Sequence, residues 1–109
     1  MRFIIFVIDG TSNSASGNEI AEIDKFNQSL VDHGHWVMAA GIAAPDKAKV
    51  FDNRGDAQVV DGTSIQSHNE FFSGFWVINA ENQVEAEKLS SAASKACNRK
   101  VELRPFLGN

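Results

Sequence analysis

The sequence predicts an α+β domain, ferredoxin-like βαββαβ with an inserted β-hairpin, its antiparallel sheet carrying helices on one face. Three observations carry this. Phe3–Ile8 and Phe75–Ile78 are apolar runs of β-branched and aromatic residues, each followed by a segment of helical periodicity. A turn-rich stretch from Ala44 to Ser73 separates the two halves, as the split βαβ arrangement requires. The 109 residues suit one domain, 1–109, with a single core.

Strand one is Phe3–Ile8, and Asp9-Gly10 is a turn signal at its end. Both alternating sets, Phe3, Ile5, Val7 and Ile4, Phe6, Ile8, are apolar, so both sheet faces need cover there and the strand is central. Thr11–Gly17 reads as a loop, and Ser16 with Glu19 has capping-box spacing before the first helix. The helix stripe is Ile20, Ile23, Phe26 or Asn27, Leu30 and Val31, with Gly34 as terminator. Strand two spans Trp36 to Ala40, broken at Gly41 and Pro45. Lys49–Phe51 and Gln58–Val60 form the hairpin around an Asp52–Asp56 loop.

Phe75–Ile78 is the second central strand, and Asn79 is placed to cap the second helix. That helix has Glu81 and Glu85 near its start, Lys95, Arg99 and Lys100 near its end, and a buried stripe of Val84, Leu89, Ala92, Ala93 and Ala96. Val101–Pro105 alternates and contains a proline that cannot donate a ladder hydrogen bond, which places it at an edge. Two helices cover one face of a four-stranded sheet. The apolar second face therefore predicts a homodimer by sheet face packing, the alternative being that the long loops Thr11–Gly17 and Asp61–Phe72 fold over it.

Composition excludes several functions. Ten basic against fourteen acidic side chains, a formal charge of -4 and no long Lys/Arg run leave no footprint for nucleic acid. The longest apolar run is six residues, against about 20 for a membrane span, so the expectation is a cytoplasmic protein without a membrane partner. One cysteine, Cys97, permits no intrachain disulfide and reads as an inert thiol. The sequence has no phosphate loop and no metal-ligand spacing, so no cofactor is expected.

The polar candidates cluster in two places. The loop from Asp61 to Glu70 brings Asp61, His68 and Glu70 beside a predicted apolar face, as a small-molecule site requires. The plainer alternatives are a turn at Asp61-Gly62 and an ion pair from Glu70 to Arg104 or Arg54. His33 and His35 flank Gly34; His35 offers an imidazole base that Asp24 can orient, whereas solvated cations at a helix C-terminus are the simpler account. Arg54, Arg104 and Trp76 are candidates for substrate contact, and each has an ordinary structural use as loop charge, edge-strand pair or core aromatic.

Asp61-Gly62, Glu70 with Gly74-Phe75-Trp76, Gly34 with Gly41 and Pro45, and Val101-Glu102-Leu103-Arg104-Pro105 together resemble the YCII-related family, in its DGPF branch of small bacterial proteins. The resemblance extends over almost the whole chain and implies a dimeric α+β barrel of poorly defined activity. The chain departs from the signature: Thr63 and Ser64 replace its Pro and Phe, and Asn69 stands where a lysine is usual. Another branch of the family has a His on helix one and an Asp near strand two as a catalytic pair. Counted back from Gly41, the helix position here falls on or near Asp24, and the nearest imidazoles are His33 and His35, so the resemblance implies at most a reversed Asp/His pair.

The resulting expectation is a small organic ligand in an apolar cavity, with acid/base catalysis and no cofactor if the protein is an enzyme. The alternative is a non-catalytic homodimer with a ligand-sensing or regulatory role. Replacement of the signature residues favours the alternative slightly.

Overall fold

In the computed structural model, residues 1–10, 17–62, 64–66 and 69–108 are described. The chain order is β1 (Arg2–Gly10), α1 (Glu19–Asp32), β2 (Trp36–Gly41), β3 (Val50–Asp52), β4 (Val59–Asp61), β5 (Glu70–Asn79), α2 (Gln83–Cys97) and β6 (Lys100–Pro105). The main sheet runs β2-β5-β1-β6 and every pairing is antiparallel. This is the ferredoxin-like α+β arrangement, with the two most apolar strands, β1 and β5, in the middle and proline-bearing β6 at an edge. The sheet of the single chain stays open and does not close into a barrel.

The core lies between the sheet and the helices. Phe3 and Ile5 of β1, Ile78 of β5 and Leu30 of α1 are fully buried, with Phe26, Trp76, Ala86, Ala93 and Cys97 packed around them. Trp76 meets Phe26 edge to face, with centroids 5.3 Å apart, a geometry that favours aromatic pairs by about 0.5–1.5 kcal/mol beyond area burial. Small residues on α2 let it lie close to the sheet. The one buried polar residue there, Ser90, donates its hydroxyl to the Ala86 carbonyl at 2.8 Å.

Several boundaries differ from the sequence reading, each for a local reason. Asp9-Gly10 continues β1 instead of turning: Gly10 pairs with Glu70, and its N–H also donates to Asp9 Oδ1 at 2.8 Å. A Cβ at Gly10 would stand 2.4 Å from the Asn69 carbonyl oxygen, so the strand needs glycine there. β5 starts at Glu70, because Phe71 and Phe72 extend its aromatic run. The N-cap of α1 is Asn18, while Ser16, the expected capping hydroxyl, lies outside the described residues; Glu19 accepts from the Gly17 N–H at 3.0 Å. The buried stripe of α1 narrows to Phe26 and Leu30 with Ile23 alongside, and Ile20 and Val31 are exposed.

Asn82, not Asn79, caps α2. Its side chain accepts the Glu85 N–H at 2.9 Å, while Asn79 is still in β5 and its N–H donates to the His35 carbonyl. The buried face of α2 is Ala86, Ser90, Ala93 and Cys97, about a quarter of a turn from the expected stripe; Ala93 belongs to both, Leu89 and Ala96 pack at the margin of the core, and Val84 is exposed. Gly34 ends α1 as expected, at φ 77°.

Among the described residues, no helix covers the other sheet face. The β1–β5 register puts Ile4, Phe6 and Ile8 beside Val77, Phe75 and Phe72, and Phe6 stacks on Phe72 at 4.2 Å. Along the β6 edge, Glu102 and Arg104 pair with each other and Glu70 pairs with Lys100. The hairpin β3–β4 forms its own two-stranded sheet, with Val50 opposite Asp61 and Phe51 opposite Val60. Phe51 is 70% exposed, and Val59 and Val60 are also exposed. This arm lengthens the molecule: the radius of gyration is 15.9 Å, against about 13 Å for a compact chain of this length.

Candidate functional site

One row of the main sheet lacks large side chains on its helix-covered face. Val7 of β1 pairs with Gly74 of β5, and Gly74 pairs in turn with Gly41 of β2. In the next row Ile5, Trp76 and Ala39 stand side by side. Two glycines and an alanine leave the space under α1 and the end of α2 unfilled. The result is a cleft of about 420 Å³ lined by Val7, Ile23 and Trp76, with Asp9, Asn27, Ser73, Cys97 and Arg99 as its polar groups. That volume lies within the roughly 300–1,000 Å³ of small-molecule sites.

Each polar group is positioned by a distinct backbone feature. The β1–β5 register shifts between Val7 and Ile8, so Ser73 is the extra residue of a bulge, a device that re-aims side chains near functional sites. The Ser73 carbonyl accepts the Ile42 N–H at 3.0 Å, which ties the bulge to the end of β2. At the end of α2, Asn98 is left-handed at φ 54° and turns the chain sharply, and Ser94 Oγ donates to the Arg99 carbonyl at 2.6 Å. Arg99 then reaches back to β1: its Nε lies 3.2 Å from Asp9 Oδ2, and its Nη1 donates to the Cys97 carbonyl at 2.9 Å. With side chains 27% and 21% exposed, Asp9 and Arg99 are a half-buried pair, held more firmly than a surface ion pair.

On the opposite wall, Trp76 Nε1 donates to Asn27 Oδ1 at 2.7 Å. Cys97 is buried, and loss of solvent pushes its thiol up from the ordinary range, with smaller opposing effects from the Arg99 backbone and charge. It therefore stays a neutral thiol at pH 7 and is no ready nucleophile. The cleft offers an apolar body site, donors on two sides and a carboxylate anchored beside a guanidinium.

Of the described residues singled out from sequence as site candidates, only Trp76 lines this cleft. His68 lies outside the described residues. Glu70 sits at the start of β5, ion-paired with Lys100, and Asp61 is exposed at the end of β4. Arg54 is 92% exposed in the hairpin turn and paired with Asp52 at 2.7 Å. Arg104 bonds Glu102 through Nε at 2.7 Å, and its guanidinium lies 5.4 Å from the Phe6 ring centroid on the helix-free face.

His35 occupies the far end of the sheet, where Nδ1 lies 2.9 Å from the Asn79 carbonyl and 3.9 Å from Glu85 Oε1. The ring carries a proton on Nδ1 in that contact, which leaves Nε2 as its second nitrogen. Asp24 is exposed near the middle of α1, about three turns before His35 in the chain, so the structure does not bring it to His35; its neighbour Ile23 is the residue that lines the cleft. His33 Nδ1 donates to the Ser29 carbonyl at 2.8 Å, the helix-end role expected of it. Among the described residues, no three His, Cys, Asp or Glu side chains gather into a metal-ligand group.

Sequence reasoning passed over Asp9, Asn27, Ser73 and Arg99. Asp9 read as a turn and Arg99 as a helix-end charge; only the extra apolar-side position of Asn27 in the α1 stripe marked it.

The fold and cleft define a small ferredoxin-like α+β protein with a cleft between sheet and helices. The chain belongs to the YCII-related family, whose model matches residues 1–106. That match covers the elements from which the resemblance was drawn. No curated protein matches the chain. Among the described residues, no helix is long and apolar enough to cross a membrane.

Proposed function

We propose that this chain binds a small organic molecule in the cleft between sheet and helices, and that Asp9 is the group able to exchange a proton with it. The observation that carries this reading is the side-chain-free Gly41–Gly74 row beneath an anchored Asp9–Arg99 pair. An apolar cavity with a few convergent polar groups is the usual form of a ligand site. Arg99 orients the Asp9 carboxyl group through their ion pair, and a positioned carboxyl group is what proton exchange with a bound ligand needs.

The test uses a blocked cleft. A Gly41→Leu variant places a side chain over the floor, where a Cβ meets nothing closer than the Ser73 carbonyl oxygen at 3.8 Å. A metabolite panel is then scored by melting temperature; a ligand at 100 times its Kd stabilises by about 2.7 kcal/mol. Ligands that stabilise the parent chain and not the variant support the reading, and equal shifts in both refute it. Turnover lost in Asp9→Asn with binding retained assigns an enzyme. Binding without turnover favours the alternative, a non-catalytic ligand-sensing or regulatory protein.

A homodimer is part of the same proposal, carried by the helix-free face of Ile4, Phe6, Phe72 and Phe75. A second copy packed on that face would cover it and complete a barrel from two open sheets. Sedimentation at several concentrations tests this. A species of twice the chain mass that Phe6→Lys converts to monomer supports it, and a monomer throughout refutes it.

A further inference from the structure

We propose that the cleft selects uncharged ligands through a carbonyl-type oxygen, and that the Asn27 amide is the group that reads it. The inference rests on the small-molecule reading above and adds the chemical class of the ligand. An indole N–H is a donor only, so the Asn27 atom 2.7 Å from Trp76 Nε1 must be the amide oxygen. The Nδ2 hydrogens are thereby committed to the other direction, and no described protein group accepts them. Trp76 cannot swing away to release the amide. It is buried, packed edge to face on Phe26, and sits in the row beside Ile5 and Ala39. Asn27 thus presents a fixed donor to a cleft whose walls are largely apolar.

The charge of the site decides between a carbonyl and a carboxylate. Asp9 and Arg99 are the two charged residues lining the cleft, they have opposite signs, and they contact each other at 3.2 Å. The pair leaves no net positive charge for an incoming anion, and an uncompensated carboxylate costs several kcal/mol to bury. A neutral carbonyl oxygen accepts from Asn27 without that cost, and its apolar remainder meets Val7, Ile23 and Trp76.

The probes are acetophenone, α-methylstyrene, which has the same shape with CH2 in place of the oxygen, and benzoate. Binding is followed by amide and indole NMR shifts of Gly41, Gly74 and Trp76 in the intact chain. The expected result is acetophenone binding about tenfold more tightly than either of the others, the scale of one hydrogen bond made or left unmade. Asn27→Asp keeps an oxygen for the Trp76 N–H, so the fold survives, but replaces the donor with an acceptor; the preference for acetophenone over α-methylstyrene should fall below about threefold. Unchanged backbone amide shifts of the core residues Phe3 and Ile78, away from the altered hydrogen bond, verify the fold of the free variant.

Equal affinity for all three probes, tighter binding of benzoate, or an undiminished preference in Asn27→Asp would each overturn this inference and leave the small-molecule reading standing. Absence of any shift at Gly41, Gly74 and Trp76 with all three probes would overturn both.

Discussion

The glycine pair that makes the cleft has unequal steric constraints, and that inequality gives a sharp test of the architecture. A Cβ on Gly74 would lie 2.9 Å from the Ala40 carbonyl oxygen and 3.4 Å from the Gly41 Cα. Both atoms are backbone in the adjacent strand β2, so nothing flexible can yield. Overpacking of this kind costs about 1–3 kcal/mol. Unfolding entropy near 2.1 cal/mol/K per residue converts 1 kcal/mol to roughly 4 °C for a chain of this length. Gly74→Ala should therefore lower the melting temperature by about 4–13 °C. A Cβ on Gly41 meets only the Ser73 carbonyl oxygen at 3.8 Å, an ordinary contact, and Gly41 has no left-handed φ. Gly41→Ala restricts the unfolded chain and should leave stability within about 1 kcal/mol of the parent or raise it. Differential scanning calorimetry on both variants measures the contrast. Equal losses in the two, or a neutral Gly74→Ala, would show that β2 and β5 do not meet in the register that creates the cleft.

Further outcomes follow from the core and the titrating groups. Phe3→Ala empties a fully buried position between β5 and the helices and should cost about 3–5 kcal/mol in urea unfolding; a loss under 1 kcal/mol would place the core elsewhere. Burial raises the Cys97 thiol above its ordinary value of 9.0, so its contribution to stability is complete below about pH 9 and fades as pH rises toward the folded value. Alkylation by iodoacetamide at pH 8 should be slow in the native chain and fast in urea, and equal rates would contradict the burial. Hydrogen bonds from the Arg54 side chain and then its backbone hold the Asp52 carboxyl below 3.8. That pair favours folding above the unfolded value and loses its effect as pH falls through the folded one. Both groups are exposed, so Arg54→Ala should raise the Asp52 titration midpoint seen by NMR with little change in melting temperature; an unmoved midpoint would rule the pairing out.

Much of the fold was legible because local chemistry and global packing agree. The doubly apolar β1 could only be central, and Pro105 could only lie at an edge, which together set the β2-β5-β1-β6 order. The boundaries failed where two signals competed. Asp9-Gly10 has turn composition, but Gly10 pairs with Glu70 across the sheet and the ladder prevails. Asn79 and Asn82 are both acceptable caps by type, and only the continuation of β5 through Asn79 selects Asn82. The α2 stripe was misphased because alanines occupy several sides of that helix, so periodicity alone did not show which of them face the sheet.

The site was less legible for a different reason: a cleft is defined by side chains that are missing. Sequence reading looks for polar residues close together in the chain, and the Asp61–Glu70 loop satisfied that search. The sheet instead joins Gly41 to Gly74, while the turn at Asn98 brings Arg99 back to Asp9 from the far end of the chain. None of these partners is a neighbour in sequence, and two of the four contribute by having no side chain. Asn27 is the exception that periodicity could have exposed. It occupies an inward position of α1 beside Phe26, and a polar residue there needs a buried partner. Trp76, the large aromatic of β5 with one donor to satisfy, is that partner, so a single hydrogen bond links the most legible part of the core to the least legible part of the site.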